Sequence, residues 1–320
     1  MPPCCICYTS DPSYLLPTFV SAVQARAAAA VDKADVAIIS FGADAATERA
    51  FKNACDAEGI RFFATAAERI DGAPALFARL FLARLVPEEY QQLLYIDGDT
   101  QIRGSLDALI DAPVPAGHFM AATDPMTFEL AKAGPQNQRV ADHFQNIGIP
   151  RGQTHTYFNA GVLRISRDGW DEIGQAAWAM LRQNTLTLHF LDQDALNIVG
   201  AARQIPMSLA WNFPIFLRNC RVESTIRPII YHFMSKPKPW HGVFQPWTAE
   251  FYQAYGDCIR TYPELAPYLG TISSRQRLKY FLQQHYKQQL ETLTWGFSAR
   301  RRRILSYESD LAIGHAGLMR

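Results

Sequence analysis

The sequence predicts an α/β fold in which a parallel sheet carries helices on both faces. In the first third of the chain, short apolar runs alternate with longer segments of helical periodicity. That alternation is typical of strand–helix–strand units. The chain has 320 residues, of which 48% are hydrophobic, so it can bury a sizeable core.

Four strands are predicted in this part. They are Cys4–Tyr8, Val36–Phe41, Arg61–Ala64 and Leu93–Ile96. The predicted helices are Leu15–Ala30, Thr47–Glu58 and Ala75–Leu85. Ligands bind outside the carboxyl ends of the strands in such sheets. Asp11 and Asp97, which follow two of these strands, therefore mark the expected site.

The second half of the chain is less regular. Its predicted strands are His118–Thr123, Val162–Ile165 and Ile229–Phe233. Its predicted helices are Trp170–Gln183 and Gln193–Val199. The segment Lys236–Trp247 is rich in Pro and Trp, and we expect a loop there.

Composition and charge narrow the class of protein. A net charge of +1 argues against a general nucleic-acid binder. The six cysteines show neither zinc spacing nor a disulfide pattern, which favours reduced thiols. The start of the chain lacks the features of a signal peptide, and no run approaches the roughly 18 apolar residues of a spanning helix. These observations predict a cytoplasmic protein.

Asp97-Gly98-Asp99 follows the fourth predicted strand directly. If the strand continues, Asp97 and Asp99 point to one face and can bind one hard divalent cation. Gly98 leaves room for a ligand to approach the backbone. An Asp-x-Asp pair also occurs by chance in solvated loops, so the pair alone is a weak signal.

His232 ends the last predicted strand and is the candidate third metal ligand. Two carboxylates and one imidazole suit Mn²⁺, with Mg²⁺ as the alternative. Lys238 lies between two prolines, which favours a fixed cation facing a phosphate. The alternatives are a packed histidine and an ordinary loop lysine.

Two further segments carry polar residues at predicted element starts. Asn159 precedes a strand, where its amide has either sugar hydroxyls or neighbouring backbone groups as partners. Asp192-Gln193-Asp194 precedes a helix, where acidic residues also serve as a helix cap without another role.

Taken in order along the chain, these segments resemble the family 8 retaining glycosyltransferases, across roughly residues 4 to 250. That family includes bacterial lipopolysaccharide galactosyl- and glucosyltransferases and glycogenin. The resemblance implies the single-domain, Rossmann-like GT-A fold. It also implies a donor that is UDP-galactose or UDP-glucose and an acceptor that is a saccharide, including lipid-linked forms.

The resemblance assigns a role to each matching residue. The implied metal ligands are Asp97, Asp99 and His232, and the implied diphosphate contact is Lys238. The implied uracil-binding turn contains Asp11 and Tyr14, and Arg79 matches an arginine of the donor site. The residues implied to surround the donor sugar are Asp124, Asn159, Asp192 and Gln193. Trp211-Asn212 matches a motif near the acceptor.

Two departures from the family pattern are visible. Ser235 stands where the family usually has a glycine, and Lys236 adds a positive charge next to it. The turn at residues 9–13 is more substituted than is usual. These departures concern loop geometry and donor fine specificity.

The last fifty residues differ from the rest of the chain. Apolar residues recur at helical spacing from Leu278 to Phe297, basic residues lie among them, and Arg300–Arg303 form a run. We predict a catalytic domain over residues 1–270 and a basic amphipathic extension over residues 271–320. The extension suits an anionic membrane surface, such as the inner face of the cytoplasmic membrane, with Trp295 and Phe297 in the interfacial region. The alternative is a helix packed on the domain with the arginines solvated.

Three functions follow from these observations. The first is metal-dependent hexosyl transfer with retention. Gln193 matches the residue on the far face of the sugar, but an amide is a poor nucleophile, which favours front-face attack. The second is a catalytically inactive nucleotide-sugar-binding protein, and the third is hydrolysis of UDP-sugar alone.

Overall fold

The computed structural model describes residues 3–131, 135–183 and 186–318. The strands are β1 Cys4–Ser10, β2 Ala34–Phe41, β3 Arg61–Thr65, β4 Gln92–Ile96, β5 Thr100–Ile102, β6 Phe119–Thr123, β7 Phe158–Ser166, β8 Gln204–Met207, β9 Phe213–Pro214 and β10 Ile230–His232. The first helices are α1 Leu15–Ala28, α2 Ala45–Ala57, α3 Leu82–Leu85, α4 Asp107–Asp111, α5 Pro135–Asn146 and α6 Trp170–Gln183. The later helices are α7 Leu191–Gly200, α8 Glu223–Ile226, α9 Ala249–Thr261, α10 Ser274–Trp295 and α11 Ala299–Leu318.

A central sheet of seven strands runs in the order β3-β2-β1-β4-β7-β6-β8. The strands β3, β2, β1 and β4 are parallel, as predicted, but β7 is antiparallel to both of its neighbours, β4 and β6. The sheet is therefore mixed. Strands β6 and β8 are parallel to each other, so β7 alone runs against the other six strands. The parallel sheet expected from strand–helix alternation is therefore correct except at β7.

Two apolar cores cover the two faces of this sheet. In β1, Ile6 and Tyr8 belong to the core that contains α1, whereas Cys5 and Cys7 belong to the core that contains α6. This follows from the alternation of side chains along a strand. All six cysteines are free thiols.

The segment predicted as a helix over Ala75–Leu85 is mostly a 3-10 helix. It runs over Ala75–Phe81, and only Leu82–Leu85 is α-helical. Gly174 of α6 lies so close that a Cβ built on it would be 1.8 Å from the carbonyl oxygen of Leu80. The segment therefore packs with its backbone against α6, and this contact fixes where the side chain of Arg79 points.

A second, smaller sheet has the order β5-β10-β9. Strand β5 begins four residues after β4 ends and pairs antiparallel with β10, so that Thr100 lies opposite His232. The turn between β4 and β5 thus passes from the large sheet to the small one. That crossing places the residues of the turn beside the last residue of β10.

The C-terminal segment forms two helices. In α11, Ile304 is fully buried, and the hydroxyl of Tyr307 donates to the carbonyl oxygen of Met207 at 2.7 Å. Glu308 accepts hydrogen bonds from the hydroxyl of Ser208 at 2.6 Å and from the backbone N–H of Leu209 at 2.7 Å. Helix α11 is therefore packed on the body of the protein.

Most of α10 is exposed. Its apolar residues repeat at intervals of three or four and are each at least 48% exposed up to Leu293. We call this surface the α10 stripe; its members are Leu278, Phe281, Leu282, Tyr286, Leu290, Leu293 and, just beyond the helix, Phe297. Within the described parts of the chain, none of the helices combines the length and apolarity that a membrane-spanning segment needs.

Candidate active site

The three predicted metal ligands come together at the junction of the two sheets. Asp97 and Asp99 lie in the turn between β4 and β5, and His232 ends β10. One ligand atom from each residue lies within 4.8 Å of the other two. The Nε2 atom of His232 is 3.2 Å from Oδ1 of Asp99 and 3.8 Å from Oδ2 of Asp97. Two carboxylates and an imidazole at this spacing fit a divalent cation such as Mn²⁺.

Hydrogen bonds orient the imidazole of His232. Its Nδ1 lies 2.8 Å from Oδ1 of Asn212, and Nδ2 of Asn212 donates to Oδ1 of Asn159 at 2.8 Å. Because the amide oxygen of Asn212 can only accept, Nδ1 carries the proton. Nε2, which faces the two carboxylates, is thus the nitrogen left to bind a metal ion.

Two glycines at this junction make room for neighbouring protein atoms. A Cβ on Gly161 of β7 would be 2.3 Å from Cε1 of His232, so only glycine lets the imidazole reach its position. A Cβ on Gly98 would be 2.1 Å from Oγ1 of Thr18 in α1. The close neighbour of Gly98 is thus helix α1, and the expectation that this glycine admits a ligand is wrong.

Lys238 is buried next to the carboxylates. Its Nζ is 2.5 Å from Oδ2 of Asp99 and donates to the carbonyl oxygen of Phe233 at 2.6 Å. Burial alone would raise the pKa of Asp99, but Lys238 and His232 lower it well below its ordinary value. The reading of Lys238 as an ordinary loop lysine is therefore wrong. Lys236, by contrast, is exposed.

Arg79 links the metal ligands to α7. Its Nη2 is 3.0 Å from Oδ1 of Asp97, and its Nε is 2.8 Å from Oδ2 of Asp192, an ion pair without hydrogen-bond geometry. Burial opposes the charge of Arg79, but Asp97 and Tyr95, followed by Asp192, raise its pKa. Asp192 is the second residue of α7 and is paired with Arg79, so it does more than cap the helix.

Polar side chains form a buried cluster beside the metal ligands. Oδ2 of Asp124 accepts from Nδ2 of Asn159 at 3.0 Å and from Nε2 of Gln193 at 3.1 Å. Oε1 of Gln193 accepts from Nδ2 of Asn159 at 3.0 Å and from the backbone N–H of Ala160 at 3.1 Å. We call Asp124, Asn159 and Gln193 the amide cluster. Burial raises the pKa of Asp124.

A second layer holds Gln193 in place. The hydroxyl of Tyr157 lies 3.2 Å from Nε2 of Gln193 and donates to Oδ1 of Asp194 at 2.6 Å. Asp194 is fully buried and also accepts from the backbone N–H groups of His189 and Phe190, each at 2.9 Å. Nε2 of His143 lies 3.1 Å from Oδ1 of Asp194. Burial would raise the pKa of Asp194, but the hydrogen bonds with His143, Tyr157 and the backbone N–H of Phe190 lower it.

The turn after β1 contains Asp11 and Tyr14. Oδ1 of Asp11 accepts from the backbone N–H of Ser13 at 2.9 Å and so closes the turn. The ring of Tyr14 packs edge-on against Trp240, with the ring centres 5.6 Å apart. Trp240 follows Lys238 in the loop after His232, so the turn borders the same site.

Sequence analysis gave no role at this site to Tyr95, Tyr157 or Asp194. It placed a fourth residue, Asn212, near the acceptor. The hydroxyl of Tyr95 donates to Oδ1 of Asp97 at 2.7 Å. Tyr157 and Asp194 support Gln193, and Asn212, expected near the acceptor, orients His232. A tyrosine within a strand is indistinguishable from a core residue in the sequence. Only Asn212 carried a signal, because a polar residue directly before a buried strand needs a partner.

With this geometry established, comparison with known proteins identifies the family. The family model for glycosyl transferase family 8 matches residues 5–243. The chain belongs to glycosyltransferase family 8. The matched range contains every residue of the candidate site described above.

The curated relatives of this family 8 chain are distant. The lipopolysaccharide glucosyltransferase WaaO of Escherichia coli is 26% identical over 52% of this chain and 49% of its own length. The lipopolysaccharide 1,3-galactosyltransferase of Salmonella typhimurium is 26% identical over 66% of this chain and 63% of its own length. The chain therefore spans between half and two thirds of the length of these two relatives.

Solved structures of two glycosyltransferases share the fold. The galactosyltransferase LgtC, in complex with donor and acceptor sugar analogs, gives a TM-score of 0.64 at 23% identity, covering 86% of this chain and 99% of that one. The bifunctional glycosyltransferase WbbM gives 0.62 at 19% identity, covering 82% of this chain and 50% of its own. The expected GT-A fold is confirmed.

Proposed function

We propose that the chain is a metal-dependent, retaining hexosyltransferase that moves galactose or glucose from UDP to a saccharide acceptor. The observation that carries this proposal is the convergence of Asp97, Asp99 and His232 within 4.8 Å, next to the buried Lys238. Both named curated relatives act on lipopolysaccharide, one as a glucosyltransferase and the other as a galactosyltransferase. This supports a hexose donor and a lipopolysaccharide or other cell-surface saccharide as acceptor.

The cation would be held by Asp97, Asp99 and His232, with Mn²⁺ preferred to Mg²⁺ because one ligand is an imidazole. Such a cation supplies charge that stabilises a diphosphate leaving group. Lys238 adds a fixed positive charge beside the carboxylates, and Arg79 balances Asp97 and Asp192. We assign Asp11 and Tyr14 to the uracil, since they border the site at Trp240.

Retention requires that the acceptor oxygen replaces the diphosphate on the same face of the sugar. In the transfer, the bond from the anomeric carbon to the phosphate oxygen breaks and a bond to the acceptor oxygen forms. The acceptor proton goes to the released phosphate oxygen. Gln193 has both amide atoms engaged with protein groups, and Asp192 is paired with Arg79, so neither is poised as a nucleophile. The amide cluster instead binds and orients the sugar hydroxyls.

We also propose that the α10 stripe attaches the protein to an anionic membrane surface. Its apolar residues are exposed, and Arg275, Arg277, Lys279 and Lys287 lie among them. Each cation near an anionic surface is worth about 1 kcal/mol. Arg300 and Trp295, which were expected at the membrane surface, do not take part in this attachment. Arg300 is buried in an ion pair with Glu129 at 3.1 Å, and its guanidinium covers the ring of Trp295 at 4.0 Å.

The division into a catalytic domain over residues 1–270 and an extension over residues 271–320 remains part of this proposal. Helix α11 packs on the body through Ile304, Tyr307 and Glu308, whereas α10 presents most of its surface to solvent. The attachment role therefore belongs to α10. We assign α11 to the structural support of the catalytic domain.

The test is an assay of UDP release from a panel of UDP-sugars by the full chain, with Mn²⁺ or excess EDTA, and with or without a saccharide acceptor extract. We expect release that needs both the cation and the acceptor, and an α-linked product by NMR. Asp99→Asn should lose nearly all release. Activity in excess EDTA or a β-linked product would contradict the proposal. Binding of UDP-sugar without turnover would favour a binding protein, and acceptor-independent release would favour a hydrolase.

A further inference from the structure

Two cavities open side by side on the surface beside α11. The first, about 840 Å³, lies between α5 and the 3-10 helix Arg151–Thr156. The second, about 730 Å³, lies between that 3-10 helix and α11. Thr154 and Arg303 line both cavities. We call the two together the α11 groove, and the volume of each cavity is in the range of ligand sites.

The lining of the α11 groove is rich in hydroxyl groups. They come from three parts of the chain that are far apart in sequence. The residues are Thr123, Thr127, Thr154, Thr156, Ser306 and Tyr307. All but Ser306 donate to a carbonyl oxygen of the protein, so they offer a ligand their acceptor lone pairs. Such a lining suits a ligand whose own hydroxyls can donate.

Two arginines give the groove a positive rim. Within the described residues, the guanidinium groups of Arg151 and Arg303 make neither an ion pair nor a hydrogen bond, and both side chains are exposed. Asp310 is the single carboxylate among the described residues that line the two cavities. Arg300, three residues before Arg303, is buried against Glu129 instead. A free guanidinium matches phosphate or carboxylate through two parallel hydrogen bonds.

Two residues that line the groove are chain neighbours of residues at the amide cluster. Thr123 lines the groove and directly precedes Asp124. Thr156 lines it and directly precedes Tyr157, whose hydroxyl contacts Gln193. The segments are joined here, because the backbone N–H of Asp124 donates to the carbonyl oxygen of Tyr157 at 3.0 Å. Consecutive Cα atoms are about 3.8 Å apart, so on each segment the backbone at the groove is one residue away from the backbone at the proposed sugar site.

We propose that the α11 groove binds the part of the acceptor saccharide that carries phosphate or carboxylate groups, with Arg151 and Arg303 as its anion contacts. The inference rests on the proposed function, because it takes the acceptor to be a saccharide. It gives the arginine run a divided role: Arg300 holds α11 to the body, and Arg303 recognises substrate.

The test is calorimetric titration of the full chain with the phosphorylated oligosaccharide obtained by deacylating a rough-type lipopolysaccharide. The same oligosaccharide after removal of its phosphates is the second ligand. We expect binding that weakens at least tenfold on dephosphorylation, and at least tenfold in Arg303→Glu and in Arg151→Glu. The matched control is Arg302→Glu, because Arg302 is exposed on the same helix but does not line the groove. It should bind like the wild type.

Absence of binding, equal binding of both oligosaccharides, or an equal loss in Arg302→Glu would overturn the proposal. Co-sedimentation with vesicles that contain an anionic phospholipid tests whether the phosphate is instead that of a lipid headgroup. Arg303→Glu should bind vesicles as the wild type does. If it loses vesicle binding and keeps the oligosaccharide, the arginine contacts lipid headgroups and the proposal is wrong. Oligosaccharide binding by a chain that releases no UDP would contradict the transferase function but not the groove.

Discussion

At the scale of single residues, Gly161 determines whether His232 can reach the metal site. A Cβ at this position would lie 2.3 Å from Cε1 of His232 and 2.9 Å from Oδ2 of Asp97, so Gly161→Ala must displace one of the two ligands. We predict a loss of Mn²⁺ affinity of about 10- to 100-fold, the range seen when the support of a metal ligand is lost.

Calorimetric titration of the variant with Mn²⁺ alone measures this without any assay of turnover. The control is Gly256→Ala in α9, where an added Cβ meets nothing within 4 Å. Wild-type affinity in Gly161→Ala would mean that His232 does not ligate the cation.

Asp194 offers a prediction about pH. Its buried carboxylate lies 3.1 Å from Nε2 of His143 and accepts hydrogen bonds from Tyr157 and from the backbone of His189 and Phe190, and its pKa is lowered in the folded protein. The stability that it contributes is therefore present above about pH 4, where the unfolded side chain is ionised, and is lost as pH falls through the lowered pKa. Asp194→Asn should reduce the free energy of unfolding at pH 7 by about 3 kcal/mol.

Urea denaturation from pH 7 to pH 3 measures the gap between Asp194→Asn and the wild type, which should narrow below about pH 4. Asp142→Asn is the control, because Asp142 is exposed and bonded only to Gln138 at 2.7 Å among the described residues. A gap that stays constant down to pH 3 would show that the charge of Asp194 is not what stabilises the site.

The sequence predicted the site residues best where their types and their order along the chain match what binding a cation and a phosphate requires. Asp97, Asp99, His232 and Lys238 were placed together because carboxylates, an imidazole and a lysine at strand ends suit a cation and a phosphate. The roles of Tyr95 and Tyr157 could not be predicted, because each depends on a partner in another element. Gly98 was misread for the same reason, since its neighbour Thr18 is 80 positions away in sequence.

At the scale of secondary structure, the contact between α6 and the 3-10 helix Ala75–Phe81 sets the position of Arg79. A Cβ on Gly174 would lie 1.8 Å from the carbonyl oxygen of Leu80, a backbone atom that cannot rotate away. We predict that Gly174→Ala lowers the free energy of unfolding by about 1–3 kcal/mol, as overpacking does. It should also weaken UDP-sugar binding, because Arg79 moves with the segment.

The urea midpoint and the Kd for the donor are the two readouts. Gly256→Ala is again the matched control, because it adds the same methyl group to an exposed helix interior and should stabilise by about 0.5–1 kcal/mol. A Gly174→Ala variant as stable as the wild type would mean that α6 and the 3-10 helix can separate without cost.

Elements with a clear period were predicted closely, and α6 has the bounds expected from the sequence, Trp170–Gln183. An apolar run does not distinguish a 3-10 helix from an α-helix, so the sequence predicts an α-helix where the structure has the 3-10 helix Ala75–Phe81. The direction of β7 also could not be predicted from the sequence, because it depends on which position the strand occupies in the sheet. Strand β5 has only three residues, too few for a pattern, and its partner β10 lies 130 positions further along.

At the scale of the whole molecule, the α10 stripe is the surface that carries the proposed attachment to a membrane. Leu293 is 72% exposed, and we predict that Leu293→Ser reduces co-sedimentation with anionic vesicles several-fold, because a buried apolar contact with lipid is lost. Binding of the wild type should fall as salt rises, since salt screens the basic residues.

Val31→Ser is the control, because Val31 is 77% exposed but lies far along the chain from α10. A truncation near residue 270 is less suitable, since it would uncover the site of the fully buried Ile304 and destabilise the body. Equal binding of Leu293→Ser and Val31→Ser would contradict attachment through the α10 stripe.

The large-scale division of the chain was the hardest feature to predict. The change in composition near residue 275 indicated a separate segment, but the same basic, apolar pattern continues through two helices with different surroundings. Helix α11 is held by Tyr307 and Glu308, whose partners Met207, Ser208 and Leu209 lie about one hundred positions earlier. Only the tertiary structure separates a packed helix from an exposed one.

The passage of the chain from β4 to β5 has a consequence for the energetics of cation binding. Asp97 and Asp99 lie where the chain leaves one sheet, and His232 belongs to the other. As proposed ligands, the three residues could share one cation only while the two sheets are docked. Any opening of this seam would reduce the apparent affinity by the fraction of molecules that remain docked. Cation affinity and tertiary order are thus thermodynamically linked, and a bound cation would in turn favour the docked arrangement by mass action.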